Sequence, residues 1–280
     1  MFFIKHVLKL EQFWKTQMNR TKINLTSFLY PLLFLIFILL FWEFLIIYFK
    51  IPKYFLPSPS NVLNAFILNI KTFLIATLVT LSITFLAITL SIISGVLIAI
   101  GVFQYKILDK TISPYIVILQ TTPIVSIIPL LIIWFKSNTF ITLVICAWIA
   151  CIFPIISNTL IGLKSTDKSL IKIFRIYGAS QTFMLKKLYI PSALPYFLSG
   201  LKISGALALI GGISAEFIAG TGGRASGIAY ILLMAGYNLE TDKLFAALFI
   251  ITVLGIFIYS LFNFISYLLL KQWHDSSTNF

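Results

Sequence analysis

Few side chains in this sequence are equipped for covalent chemistry, and those few are far apart. His6 and His274 lie at opposite ends of the 280-residue chain, so they form neither a metal pair nor a base beside a nucleophile. Cys146 and Cys151 share one apolar run, a setting for packing rather than for a disulfide or metal ligation. Gly220-Thr-Gly-Gly-Arg-Ala-Ser-Gly227 has the glycine density of a phosphate-cradling loop but lacks the Gly-Lys-Ser/Thr ending, and we exclude it as a nucleotide site. Two carboxylates remain inside apolar runs, where an ionisable group is costly. Glu216 reads either as a gate or subunit-contact residue near the outer surface, or as an interfacial carboxylate that is solvated or paired with Arg224. Glu43 invites the same two readings, with Lys50 or Lys53 as partner. An integral-membrane enzyme needs a His, Asp or Glu cluster at one face, and none is found.

Recognition is better served than catalysis. Thr166–Gly200 is the one long polar interruption, and it carries Lys168, Lys172, Arg175, Lys186 and Lys187. Leu170, Ile173, Phe174 and Tyr177 recur at spacings of three and four, which puts them on one helical face, with Lys168, Lys172 and Arg175 on the other. Gly178 permits a left-handed backbone or the close approach of a partner. Pro191 and Pro195 mark entry to the next apolar run. Such a segment either meets a cytoplasmic partner or caps the inner face of the bundle. A second group of polar residues lies within apolar runs: Gln120, Thr121, Thr122, Ser126 and Asn158, near Pro123, Pro129 and Pro154. Each interior proline frees a carbonyl, which is tolerated beside a water-filled path or a neighbouring donor. These residues, with Glu216, are candidates to line a pathway, or else they hold helices together by hydrogen bonds.

The elements that position them are set by composition. The chain is 60% hydrophobic and 10% charged, with mean hydropathy +1.03, which calls for a bilayer as solvent. Roughly 20 apolar residues cross the hydrocarbon core as a helix. Six runs qualify: Tyr30–Phe49, Phe73–Phe103, Ser113–Phe135, Thr139–Leu160, Tyr196–Ala219 and Leu244–Leu270. They do not alternate as barrel strands would, so an all-α membrane protein is expected. The net charge of +13 resides mainly in the loops, which argues against nucleic acid. Most lysines and arginines fall on one side if both termini are cytoplasmic. The expected plan is an N-terminal cytoplasmic tail over 1–29, one membrane domain over 30–270 with its basic loop at 164–195, and a C-terminal cytoplasmic tail over 271–280. No cleavable signal peptide is evident. Residues 1–25 read as an interfacial amphipathic helix, through Phe2, Phe3, Val7, Leu10 and Phe13, or as a basic tail.

The stretch from Tyr177 to Lys202 resembles the coupling loop of bacterial ABC-importer permeases. That loop has a Glu-Ala-Ala triplet, three residues, a glycine, nine residues, then Ile-x-Leu-Pro. Gly178, Leu188, Ile190 and Pro191 stand at the matching positions, while Lys172, Ile173 and Phe174 replace the triplet. Phe55–Leu63, Leu119–Phe135 and Ala215–Gly227 are similar to segments of the nitrate/sulfonate/taurine branch, in the expected order.

The resemblance implies a type I ABC-importer permease of six transmembrane helices in a bacterial inner membrane. It further implies partners: a cytoplasmic ATPase dimer that binds the ATP, a second permease copy giving a homodimer, and an extracytoplasmic solute-binding protein. The permease itself needs no cofactor, no metal and no enzymatic activity. Carried onto this sequence, ATPase coupling falls to Lys172, Ile173, Phe174, Arg175, Tyr177, Gly178, Ala179 and Ser180. The solute is a small anion of the sulfonate, taurine or nitrate type, or alternatively a vitamin or pyrimidine precursor. An ion-coupled secondary transporter would show repeated halves and buried midplane carboxylates, and neither is evident.

Overall fold

The computed structural model describes residues 25–135, 138–220 and 226–271, with side chains from residue 29 onwards. The N-terminal candidate amphipathic segment and Arg224 lie outside them. All regular structure among the described residues is helical. The chain forms two compact units, Met1–Asn61 and Val62–Phe280.

The first unit is dominated by α1, Leu25–Phe49, an apolar helix whose large side chains are mostly exposed, as a lipid-facing span requires. Lys50 adopts φ +50° and stops it. The following turn closes through Phe55 N and Leu56 N, which donate to Pro52 O. The Glu43 carboxylate accepts from Ser60 N at 3.1 Å and from Ser60 Oγ at 2.8 Å. Ser60 opens α2, Pro59–Leu68, which has proline at its first position, where the missing N–H costs nothing.

The second unit holds the core. α3 (Ile70–Gln104), α6 (Thr139–Lys164) and α9 (Ile190–Ala219) pack together, with α11 (Thr241–Leu270) against α9. Small residues bring α6 and α9 close: a Cβ on Gly200 would lie 2.6 Å from Pro154 O, and one on Gly211 2.6 Å from Ala150 Cβ. Cys146 and Cys151 are both free and fully buried in this seam, Cys151 beside Ser91 Oγ at 2.9 Å.

Four spans follow the sequence expectation closely, and two do not. The third, Ser113–Phe135, is not one rod. It is broken into α4 (Lys106–Thr121) and α5 (Ile124–Trp134), bent by 101°. The cause is Pro123, which bars the helical region to the residue before it. Thr122 and Pro123 are both extended, at ψ 121° and 114°, and two such residues turn the chain aside. The fifth span starts earlier than Tyr196. α7 (Lys168–Ile176) is followed by α8 (Gln181–Met184), a π-helical turn over Leu185–Tyr189 and α9, the last three forming one helix from Gln181 to Ala219. The wider turn, closed by Ile190 N to Leu185 O, makes room for the Pro191 ring, which would otherwise press on the carbonyl four residues back. A further apolar helix, α10 (Ile228–Tyr237), is too short at about 15 Å to cross a bilayer.

Candidate functional site

The loop between α6 and α9 is held in shape by its own caps. Asp167 accepts from Ser169 N at 2.7 Å and starts α7. Its end is a Schellman closure: Ala179 N donates to Phe174 O and Gly178 N to Arg175 O, both at 3.0 Å. That closure needs a left-handed residue, and Gly178 supplies it at φ +71°. Ser180 then caps α8 by accepting from Phe183 N at 3.3 Å. None of the α7 side chains is buried.

Of the sequence candidates in this loop, Ile173, Phe174, Tyr177, Gly178, Ala179 and Ser180 line one open groove of about 580 Å³. Lys172 and Arg175 are exposed on α7 but do not line it. Phe183 also lines the groove, its ring 6.3 Å from that of Phe174. The sequence candidates did not include Phe183, and no local pattern marked it as a groove residue. Tyr177 is 85% exposed and Ile176 82%, an apolar tip left uncovered by the described residues. A Cβ at Gly178 would meet nothing within 4 Å. Its left-handed backbone, rather than crowding within the chain, is the feature that calls for glycine.

A second cavity, of about 430 Å³, lies among α4, α5, α6 and α9. It gathers Gln120, Thr122 and Asn158 beside apolar side chains such as Phe153, Ile203 and Leu207. Asn158 Nδ2 donates to Pro154 O at 2.9 Å, and Thr122 Oγ1 to Ile118 O at 2.8 Å. Thr121, Pro123 and Ser126, the other candidates there, are exposed and do not line it. No lysine, arginine, aspartate or glutamate is among the described residues of its wall. Glu216 lies apart from this cavity and is 2% exposed, at the end of α9. It accepts from Thr80 Oγ1 at 2.7 Å and from Ala229 N at 3.1 Å. These donors lie on α3 and α10, and no local pattern in the sequence pointed to them.

Comparison with known proteins agrees with this architecture. The family described as "Binding-protein-dependent transport system inner membrane component" matches residues 87–274. The formylaminopyrimidine transport permease protein of Halalkalibacterium halodurans is 30% identical over 81% of this chain and 88% of its own. A putative aliphatic sulfonates transport permease protein of Bacillus subtilis is 29% identical over 65% of this chain and 64% of its own. In fold, the chain matches the crystal structure of an amino acid ABC transporter at a TM-score of 0.60 and 19% identity, covering 74% of this chain and 96% of that one. With its apolar spans, its capped loop before α9 and a family match over more than half its length, the chain belongs to the binding-protein-dependent transport system inner membrane components, the permeases of ABC importers.

Proposed function

We propose that this permease forms the translocation pathway for a small uncharged nitrogen heterocycle of the pyrimidine-precursor type. The supporting observation is the cavity wall. It offers amide and hydroxyl groups from Gln120, Asn158 and Thr122 against apolar surface, and no cation among its described residues. A sulfonate or nitrate entering a low-dielectric passage calls for a positive partner, since an unpaired buried charge is heavily penalised. A heterocycle needs only hydrogen bonds and apolar contact. The formylaminopyrimidine relative is in keeping with this choice.

In this reading the chain works as a homodimer in a bacterial inner membrane, with both termini cytoplasmic. It has no enzymatic activity and needs no cofactor of its own. A separate ATPase pair binds and hydrolyses the ATP, and an extracytoplasmic binding protein delivers the solute. The α7–α8 groove receives the ATPase: Ile173, Phe174, Tyr177 and Phe183 give it apolar surface to bury, while Lys172 and Arg175 steer the approach. Closure of the ATPase pair then moves α7 and α8, and with them the spans, as rigid bodies.

The test is uptake into proteoliposomes holding the permease, its ATPase and its binding protein. A labelled formylaminopyrimidine should accumulate in an ATP-dependent manner, and an alkylsulfonate should not compete. Preferential uptake of the sulfonate would refute the substrate reading and leave the permease reading in place.

A further inference from the structure

Three helices converge on one carboxylate. Glu216, in the last turn of α9, receives Thr80 Oγ1 from α3 on one oxygen and Ala229 N from α10 on the other. Thr80 Oγ1 in turn accepts from Ile228 N at 3.0 Å. Thr80 is fully buried, as are Ile228 and Ala229. The opening amides of a helix have no partner within it, and here the first two of α10 are taken up by side chains of two other helices. Gly227 makes the approach possible, since a Cβ there would collide with the carboxylate. α10 does not cross the bilayer on its own length; it is held by packing against α11, α9 and α3 together with these bonds, which tie its first turn to α3 and α9.

We propose that Glu216, acting through Thr80 and the Ile228 and Ala229 amides, is a positioning residue that makes α3, α9 and α10 move as one body during transport. The proposal rests on the permease reading above. α9 continues without interruption from the helix that begins at Gln181, so the staple places α10 at the opposite end of the element the ATPase is expected to move. Without it α10 lags behind α9, and ATP is hydrolysed without matching uptake. Hydrogen bonding, rather than charge, does the holding. Glutamine can accept from Ala229 N on its one oxygen and donate its amide N–H to Thr80 Oγ1, reversing that bond, whereas leucine keeps the volume alone.

The experiment compares Glu216→Gln and Glu216→Leu in the complete reconstituted complex, reading solute taken up per ATP hydrolysed. Glu216→Gln should stay within about 3-fold of the parent ratio, and Glu216→Leu should fall about 10-fold while its ATP hydrolysis persists. An equal loss in both variants would overturn the proposal, because an acceptor for Ala229 N and a polar partner for Thr80 would then not suffice to couple the helices. A parent-like ratio in Glu216→Leu would overturn it as well. Amide hydrogen exchange on the unmodified complex decides the matter should the leucine variant not assemble. Ile228 and Ala229 should exchange about 100-fold or more slowly than open amides, and exchange at open rates would overturn the staple. A parent complex that imports no solute would remove the transport reading, and exchange at these two amides would still decide the staple.

Discussion

Replacing Gly178 by alanine, asparagine and aspartate separates three effects at one position. The residue sits at φ +71°, where an L side chain costs about 1–2 kcal/mol, or roughly 5- to 30-fold in the population of the turn. Among the described residues no neighbour lies within 4 Å of the added Cβ, so for alanine that cost is all backbone. It falls on the closure that ties Ala179 N to Phe174 O and Gly178 N to Arg175 O, at the end of a nine-residue helix too short to persist without its caps. Asparagine tolerates the left-handed region far better, so Gly178→Asn should restore most of what Gly178→Ala loses. Gly178→Asp has nearly the shape of the asparagine variant and differs by a negative charge at the C-terminal end of α7, the helix that carries Lys172 and Arg175. Any loss beyond that of asparagine therefore measures electrostatics, from the C-terminal end of the α7 dipole and from the partner together. Co-purification of the ATPase and ATP-driven uptake should rank glycine first, asparagine second, alanine third and aspartate last. Asparagine performing worse than alanine would refute the backbone account, because bulk at the docking face would then be the limit.

Other outcomes follow from the same structure. Phe183→Ala removes the ring facing Phe174 and should weaken ATPase co-purification about 2- to 10-fold, with the amount of inserted permease unchanged by immunoblot. Gly211→Val drives a side chain into Ala150 and Ala147 of α6 and should destabilise the permease by about 1–3 kcal/mol, seen as a lower unfolding temperature in detergent. Gly255→Ala meets only Leu209 Cδ2, at 3.9 Å, and should leave that temperature unchanged or raise it. The exposed Lys164–Asp109 pair, 3.4 Å apart, should be dispensable, so Asp109→Asn should not move the unfolding temperature at about 0.15 M salt.

Much of this architecture was legible from hydropathy, because lipid leaves the backbone little choice but long helices. α1, α3, α6 and α11 follow the apolar runs to within a few residues. Gly178 was legible too, since a glycine just past an amphipathic stretch points to a left-handed helix end. The break at Thr122–Pro123 was not. The run from Ser113 to Phe135 is apolar on both sides of it, and hydropathy records composition without direction. α10 was missed because ten residues fall below any spanning threshold. The surroundings of Glu216 could not be read from neighbours in the sequence, because Thr80 is 136 positions away. Among the polar candidates, Gln120, Thr122 and Asn158 line one cavity, while Thr121 does not, although Thr121, Thr122 and Asn158 all donate back to carbonyls of their own helices. Residue type alone does not distinguish these two fates.

The helix that runs unbroken from Gln181 to Ala219 has a mechanical consequence. Its 39 residues extend about 58 Å, so each degree of tilt sweeps the distal tip through about 1 Å. In the proposed mechanism, a tilt set near Phe183 is carried rigidly to Glu216 at the far end. On that reading, a swing of a few degrees would displace the tip by a few Å, about the width of one small molecule, with no helix having to melt.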